Sequence, residues 1–103
     1  MSNPNELSAN RTANITTNGV TTIPGKVVLI SIVVNTKGAS SNTATIYDST
    51  EAIGANAERK KGKLDTTANV GTVEYGFPCF DGIYIVVETG TAPDLTVVYA
   101  ETP

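Results

Sequence analysis

The amino-acid sequence predicts an all-β fold, an antiparallel two-sheet β-sandwich, jelly-roll-like, with seven to eight short strands. Three observations lead there. Thr and Val crowd the chain while Leu, Gln and Met are scarce, and branched side chains suit a pleated surface better than a helix. Turn signals such as Asn18-Gly19, Pro24-Gly25 and Asp81-Gly82 punctuate the chain at roughly the 8–12-residue spacing of sandwich strands. Between them apolar residues recur with a period near two, not 3.6. A closed barrel shares this pattern, so the sandwich is the expectation and the barrel its nearest rival.

Taken in order, residues 1–11 are polar, with Asn3, Pro4, Asn5, Glu6, Asn10 and Arg11, and read as an extended N-terminal arm ahead of a single domain, 12–103. Ala13 to Thr17 is a short strand. Asn18-Gly19 then reads as a hairpin turn, because both central positions of a type I′ turn favour φ > 0. Val20 to Ile23 leads to Pro24-Gly25, a second turn. Lys26 to Asn35 is the dominant strand, and both of its faces are apolar. A strand half open to water alternates, so this one lies at the centre of a sheet with its outer face covered by the arm or by a second subunit.

Lys37 to Asn42 is a loop, and Thr43 to Asp48 a strand with Ala44 and Ile46 on one face. Ser49 to Ala57 reads as a long loop or a single helical turn. Arg59 to Thr66 is an irregular strand with Leu64 inward. Val70 to Phe77 places Val73, Tyr75 and Phe77 on one face. Asp81-Gly82 signals a hairpin into Ile83 to Glu88, and Thr89 to Asp94 turns the chain into a last strand, Leu95 to Ala100. With no Trp and only two Phe, the core falls to Val, Ile, Leu and the four Tyr.

The chemistry is conspicuous by what the residues exclude. There is no histidine, which removes the usual general base and the commonest metal ligand. One cysteine, Cys79, cannot close an internal disulfide, and its apolar neighbours mark it as a small buried hydrophobe. The ten acids are dispersed singly, and no calcium-loop run or phosphate-cradling glycine loop occurs. The expectation is therefore a chain that is not an enzyme and needs no cofactor, metal or small-molecule substrate. A net charge of −3 speaks against sequence-independent nucleic-acid binding. The N-terminus lacks a cationic stretch followed by an apolar one, and the longest apolar run, 27–34, is too short to cross a membrane, so a cytosolic origin without membrane contact is expected.

Two features could carry function. Arg59, Lys60, Lys61 and Lys63 hold four of the seven cations within five residues. They form either a contact with an acidic surface or a solvated edge whose lysines block aggregation. The other feature is the arm, which reads equally as a reach toward a neighbour or as a plain tail.

Two stretches also carry a family likeness: Val33-Val34-Asn35-Thr36-Lys37-Gly38-Ala39-Ser40-Ser41-Asn42-Thr43-Ala44-Thr45-Ile46-Tyr47-Asp48, and the run from Gly82-Ile83-Tyr84 through Thr89-Gly90-Thr91-Ala92-Pro93-Asp94 to Tyr99. Over residues 23–99 the chain resembles the short β-sandwich proteins of tailed-bacteriophage virions, and is similar to head decoration, or cement, proteins. The resemblance implies a homo-oligomer, a trimer above all, made in the host cytoplasm and seated on the capsid exterior, where it clamps neighbouring copies of the major capsid protein. It directs capsid contact to Asn3, Pro4, Asn5, Glu6 and Arg11 of the arm and to Arg59, Lys60, Lys61 and Lys63. Subunit contact would fall to Val27, Leu29 and Val33, or to their alternates on the other face. The competing reading is a fibre-tip or surface adhesion module for carbohydrate or a host protein, with Tyr47, Tyr75, Tyr84 and Tyr99 as stacking candidates. A bacterial structural subunit is the residual option.

Overall fold

The computed structural model describes residues 10–52 and 56–101. Eight antiparallel strands form two four-stranded sheets: β1 (Arg11–Ile15), β2 (Gly19–Pro24), β3 (Val27–Thr36), β4 (Thr43–Asp48), β5 (Lys60–Asp65), β6 (Gly71–Cys79), β7 (Gly82–Glu88) and β8 (Asp94–Glu101). One sheet, A, has the order β1-β8-β3-β6; the other, B, has the order β2-β7-β4-β5. This is a jelly roll, two four-stranded sheets wound from one chain. Consecutive strands alternate between sheets everywhere except at β4–β5.

That alternation corrects two local readings. Asn18-Gly19 and Asp81-Gly82 are not hairpins, because β1 and β2, like β6 and β7, belong to different sheets. Both dipeptides are corners that carry the chain across the sandwich. Only the glycines have positive φ (128° at Gly19, 147° at Gly82), while Asn18 and Asp81 do not, so the backbone is not the type I′ turn of a two-residue hairpin. The strand from Ala13 begins two residues earlier, at Arg11, which therefore lies in a strand and not in the arm. Of Ser49 to Ala57, residues 53–55 lie outside the described residues; a single 3₁₀ turn, Ala57–Arg59, closes the loop.

The core lies between the sheets. Val27, Leu29, Ile32 and Val34 of β3 meet Ala44, Ile46, Ile83, Ile85 and Val87 of sheet B, with Leu95 and Val97 beside them. Strict alternation would put Val27, Leu29 and Val33 on one face. A bulge intervenes: Leu29 pairs with Tyr99 but Ser31 with Val98, so β3 carries one extra residue there. Beyond it the inward parity switches from Val27 and Leu29 to Ile32 and Val34. Cys79 is buried as expected, and burial foremost pushes its thiol up to about 11.

At the end of the sandwich holding the β1–β2, β3–β4, β5–β6 and β7–β8 connections, one buried carboxamide ties the loops together. Asn42 is fully buried. Its Nδ2 donates to Asn18 Oδ1 and to the Thr89 carbonyl, both at 2.8 Å, and its Oδ1 accepts from the Thr66 hydroxyl at 2.7 Å. Asn18 donates in turn to the Gly90 carbonyl. Gly90 has φ of 68°, and a Cβ there would lie 2.4 Å from the Ala39 carbonyl oxygen, so only glycine fits.

Truncating the fully buried Leu29 to Ala should lower stability by about 2–5 kcal/mol in chemical denaturation. Asn42→Asp should cost about 3 kcal/mol or more at neutral pH, because a carboxylate cannot donate to Asn18 and Thr89 and is buried as a charge. Burial raises that carboxyl's pKa, so the Asp variant should regain stability as pH falls and it binds a proton. A variant equally destabilised at every pH would remove Asn42 from this role.

Candidate binding surface

The opposite end carries the β2–β3, β4–β5 and β6–β7 connections. Strand register brings Val27 beside both Cys79 and Glu101, so β1 and β8 start and finish at this end too. Here the loop Phe80–Gly82 is held by a charged residue and not by a neutral one. Asp48, at the end of β4, accepts from three successive amides: Phe80 at 3.0 Å, Asp81 at 2.9 Å and Gly82 at 3.3 Å. Partial burial pushes its carboxyl up, but the three amides and the charge of Lys61 outweigh this and hold it below its ordinary value.

Further ties hold the same loop. Arg59 donates from Nη1 to the Asp81 carboxylate and, at 3.4 Å, to the Asp48 carbonyl. Gly25 donates its amide to the Asp81 carbonyl at 3.0 Å, and Ser49 donates its amide to the Gly82 carbonyl at 3.1 Å. Gly82 itself is crowded, since a Cβ there would meet the Ile23 carbonyl oxygen at 2.5 Å. The loop is thus fixed from β2, β4 and the β4–β5 connection at once. At its tip Phe80 is 64% exposed, the one aromatic side chain among the described residues with most of its surface in water.

The cations gather at the neighbouring edge. Lys60, Lys61 and Lys63 lie on β5, the edge strand of sheet B, and all are exposed. Lys61 sits over the Phe77 ring, its Nζ 5.9 Å from the centroid, where β5 and β6 close the side of the sandwich. Lys60 and Lys63 pair across the strand with Tyr47 and Thr45 and make no ion pair with a described residue. Arg59 is committed to the Asp81 loop.

Arg11 opens β1 at the same end but on the far edge of sheet A. It pairs with Tyr99, and its Nε lies 2.6 Å from Glu101, an exposed pair of little energetic weight. Asn3, Pro4, Asn5 and Glu6 lie outside the described residues. Val27 and Leu29, expected at a subunit contact, are 1% and 0% exposed within the chain's own core, which leaves their side chains no surface to offer. Val33 faces outward, with the alternates Val28 and Ile30.

Phe80 and Asp48 were the residues missed in the sequence. Phe80 closes the apolar run Phe77-Pro78-Cys79-Phe80, which as a whole reads as buried. Its parity held the signal: Val73, Tyr75, Phe77 and Cys79 turn inward, so the next position turns out, directly before the corner glycine. Among the tyrosines proposed as a stacking platform, Tyr75 and Tyr99 pack against the core, while Tyr84 is nearly buried in an edge-on pair with Tyr47. Among the described residues no group of three or more Cys, Asp or Glu side chains converges as a metal site would need. No protein-family model matches the chain, and no curated protein matches it.

The lowered pKa of Asp48 has a signed consequence. Its stabilising contribution is complete above the ordinary carboxylate value of about 4 and is lost as pH falls through its lower folded value. Asp65 shifts the same way, through the Thr67 hydroxyl and amide, so a global melt does not separate the two. Amide exchange does. Protection at Phe80, Asp81 and Gly82 should fall in acid in the native chain and be low, with little acid dependence, in Asp48→Ala, at a cost of about 1–3 kcal/mol. Unchanged protection in the variant would deny Asp48 its place in the loop.

Proposed function

We propose that this chain is a non-enzymatic structural protein of a phage virion, which binds the outer capsid surface as a small oligomer and stabilises the lattice. The observation that carries the reading is the outer face of sheet A. There Val28, Ile30 and Val33 of β3 and Val98 and Ala100 of β8 share the face, all partly buried and none part of the core, with Thr96 of β8 beside Val33. Polar residues border them: Thr12 and Asn14 on β1, Thr72 and Glu74 on β6. An apolar strip rimmed by polar groups is the anatomy of an association surface. The partner class comes from the resemblance to head decoration proteins, and the jelly roll is compatible with it, though a fold by itself does not assign a function.

The mechanism follows from linkage. A protein that binds only the assembled shell stabilises it by its own binding free energy, repeated over every copy. An oligomer engages several capsid subunits at once, so each contact can be weak while the whole is tight. The adhesion alternative draws less support, since the tyrosines named as its stacking candidates are turned inward or paired, which leaves Phe80 as a single exposed ring and not a stacking platform.

Light scattering behind a sizing column tests the oligomer, with a trimer expected. Ile30→Glu and Val33→Asp together should give a folded monomer with unchanged far-ultraviolet dichroism. A monomeric native chain would end the oligomer proposal. Co-sedimentation with shells of the source phage's major capsid protein tests the rest: the native chain should bind and raise their dissociation temperature, and a chain left in the supernatant would overturn the capsid assignment.

A further inference from the structure

Resting on the capsid reading, we propose that the Phe80 corner is the docking surface, with Phe80 as its anchor and Lys60 and Lys61 as its electrostatic flank. The occupant it fits is a protein surface that offers an apolar pocket rimmed by carboxylates. Isolated exposed hydrophobes are common and mean little. Two features set Phe80 apart.

The first is the cost of holding it. A binding anchor must be ordered before it can contribute, and the ordering is charged against affinity. Here it is already met by the three amides on Asp48, the Arg59–Asp81 pair, the amides of Gly25 and Ser49, and the positive φ of Gly82. Among the described residues the other exposed large hydrophobes, Val20 and Val70, are aliphatic and lie outside this scaffold. Large aromatic side chains dominate binding hot spots, and a fixed one loses little on docking.

The second feature is charge. A chain of net charge −3 concentrates four of its seven cations in Arg59–Lys63, with Arg59 in the connection that braces the Phe80 loop and the three lysines on β5 directly after it. Arg59 spends its charge on the brace, which leaves Lys60 and Lys61 exposed on the adjoining strand. At this end Asp48 and Asp81 are occupied in the brace, whereas Asp65, Glu88 and Asp94 lie at the opposite end, so an acidic partner would be steered to the lysine edge beside Phe80.

The measurement is binding to shells of the source phage's major capsid protein at several salt concentrations. Native protein is compared with Phe80→Ala, Lys60→Glu/Lys61→Glu and Val70→Ala, whose exposed valine lies at the other end. Phe80→Ala should weaken binding about 30-fold or more, the level of a hot spot, with unchanged thermal stability because the ring is in water. The double lysine variant should bind more weakly and with a shallower salt dependence. Val70→Ala should bind as the native chain does. Native protein that binds while Phe80→Ala binds equally well would overturn this inference and leave the capsid reading standing. Native protein that does not bind the shells would overturn both.

Discussion

The fold depends on the hydrogen bonds of one side chain, the carboxamide of Asn42. A jelly roll winds its chain back and forth between sheets, so neither sheet can form without the other and four connections must cross at one end. Those loops would bring unpaired backbone groups into the sandwich mouth. Asn42 answers with both donors and its acceptor, reaching the β1–β2, β5–β6 and β7–β8 connections from the β3–β4 connection. No hydrophobic residue could take its place, because the groups it satisfies would stay buried and unpaired. Ser40, Ser41 and Thr89 adopt positive φ nearby, local strain accepted to bring the loops within its reach.

The far end solves the same problem with opposite chemistry. Asp48 also gathers neighbouring backbone groups, but as an anion that only accepts, and Arg59 balances the charge that accumulates beside it. Charged groups stay near water, because full burial would cost more than the hydrogen bonds return. The sandwich is therefore polarised. One end is closed by buried neutral groups and has little to offer a partner. The other is braced by solvent-facing ions, which fix a loop rigidly and still leave its tip exposed.

The sequence made the strands legible and their partners illegible. Short β-branched runs between turn signals place all eight elements within a few residues, most of them by alternation and β3 by its unbroken apolar run. Asn18-Gly19 and Asp81-Gly82 mark turns truthfully, but only their glycines take positive φ, and the dipeptides do not say whether the next strand pairs beside the last or crosses to the other sheet. Val33 shows the other limit. Counting by twos from Val27 places it in the core, and only the extra residue at Ile30–Ser31 turns it out. A bulge leaves no mark in a run where every residue is apolar. The Phe80 site was legible in part: its cations were plain, while the ring that they flank was hidden in an apolar tetrapeptide.

The doubly apolar central strand finally raises the question of why association should use a face and not an edge. Each sheet ends in open strands, and an open edge is a template for uncontrolled pairing. On β5 the lysines and a bulge near Ile46–Tyr47 obstruct it. On β6, Pro78 lacks a donor and Gly76, at φ of 75°, breaks the ladder. β1 is only five residues long, with charged Arg11 at its start, and β2, the fourth edge, is six residues that open on Gly19 and end at Pro24. The apolar strip of Val28, Ile30, Val33, Val98 and Ala100 lies between these guarded edges, in the middle of the outer face. Edge pairing propagates without limit, whereas a face buried between a few copies can close on itself. On the proposed reading, guarded edges and one partly apolar face favour a finite assembly over an open-ended one, with Val28 and Ala100 at the end of that face nearest the Phe80 corner.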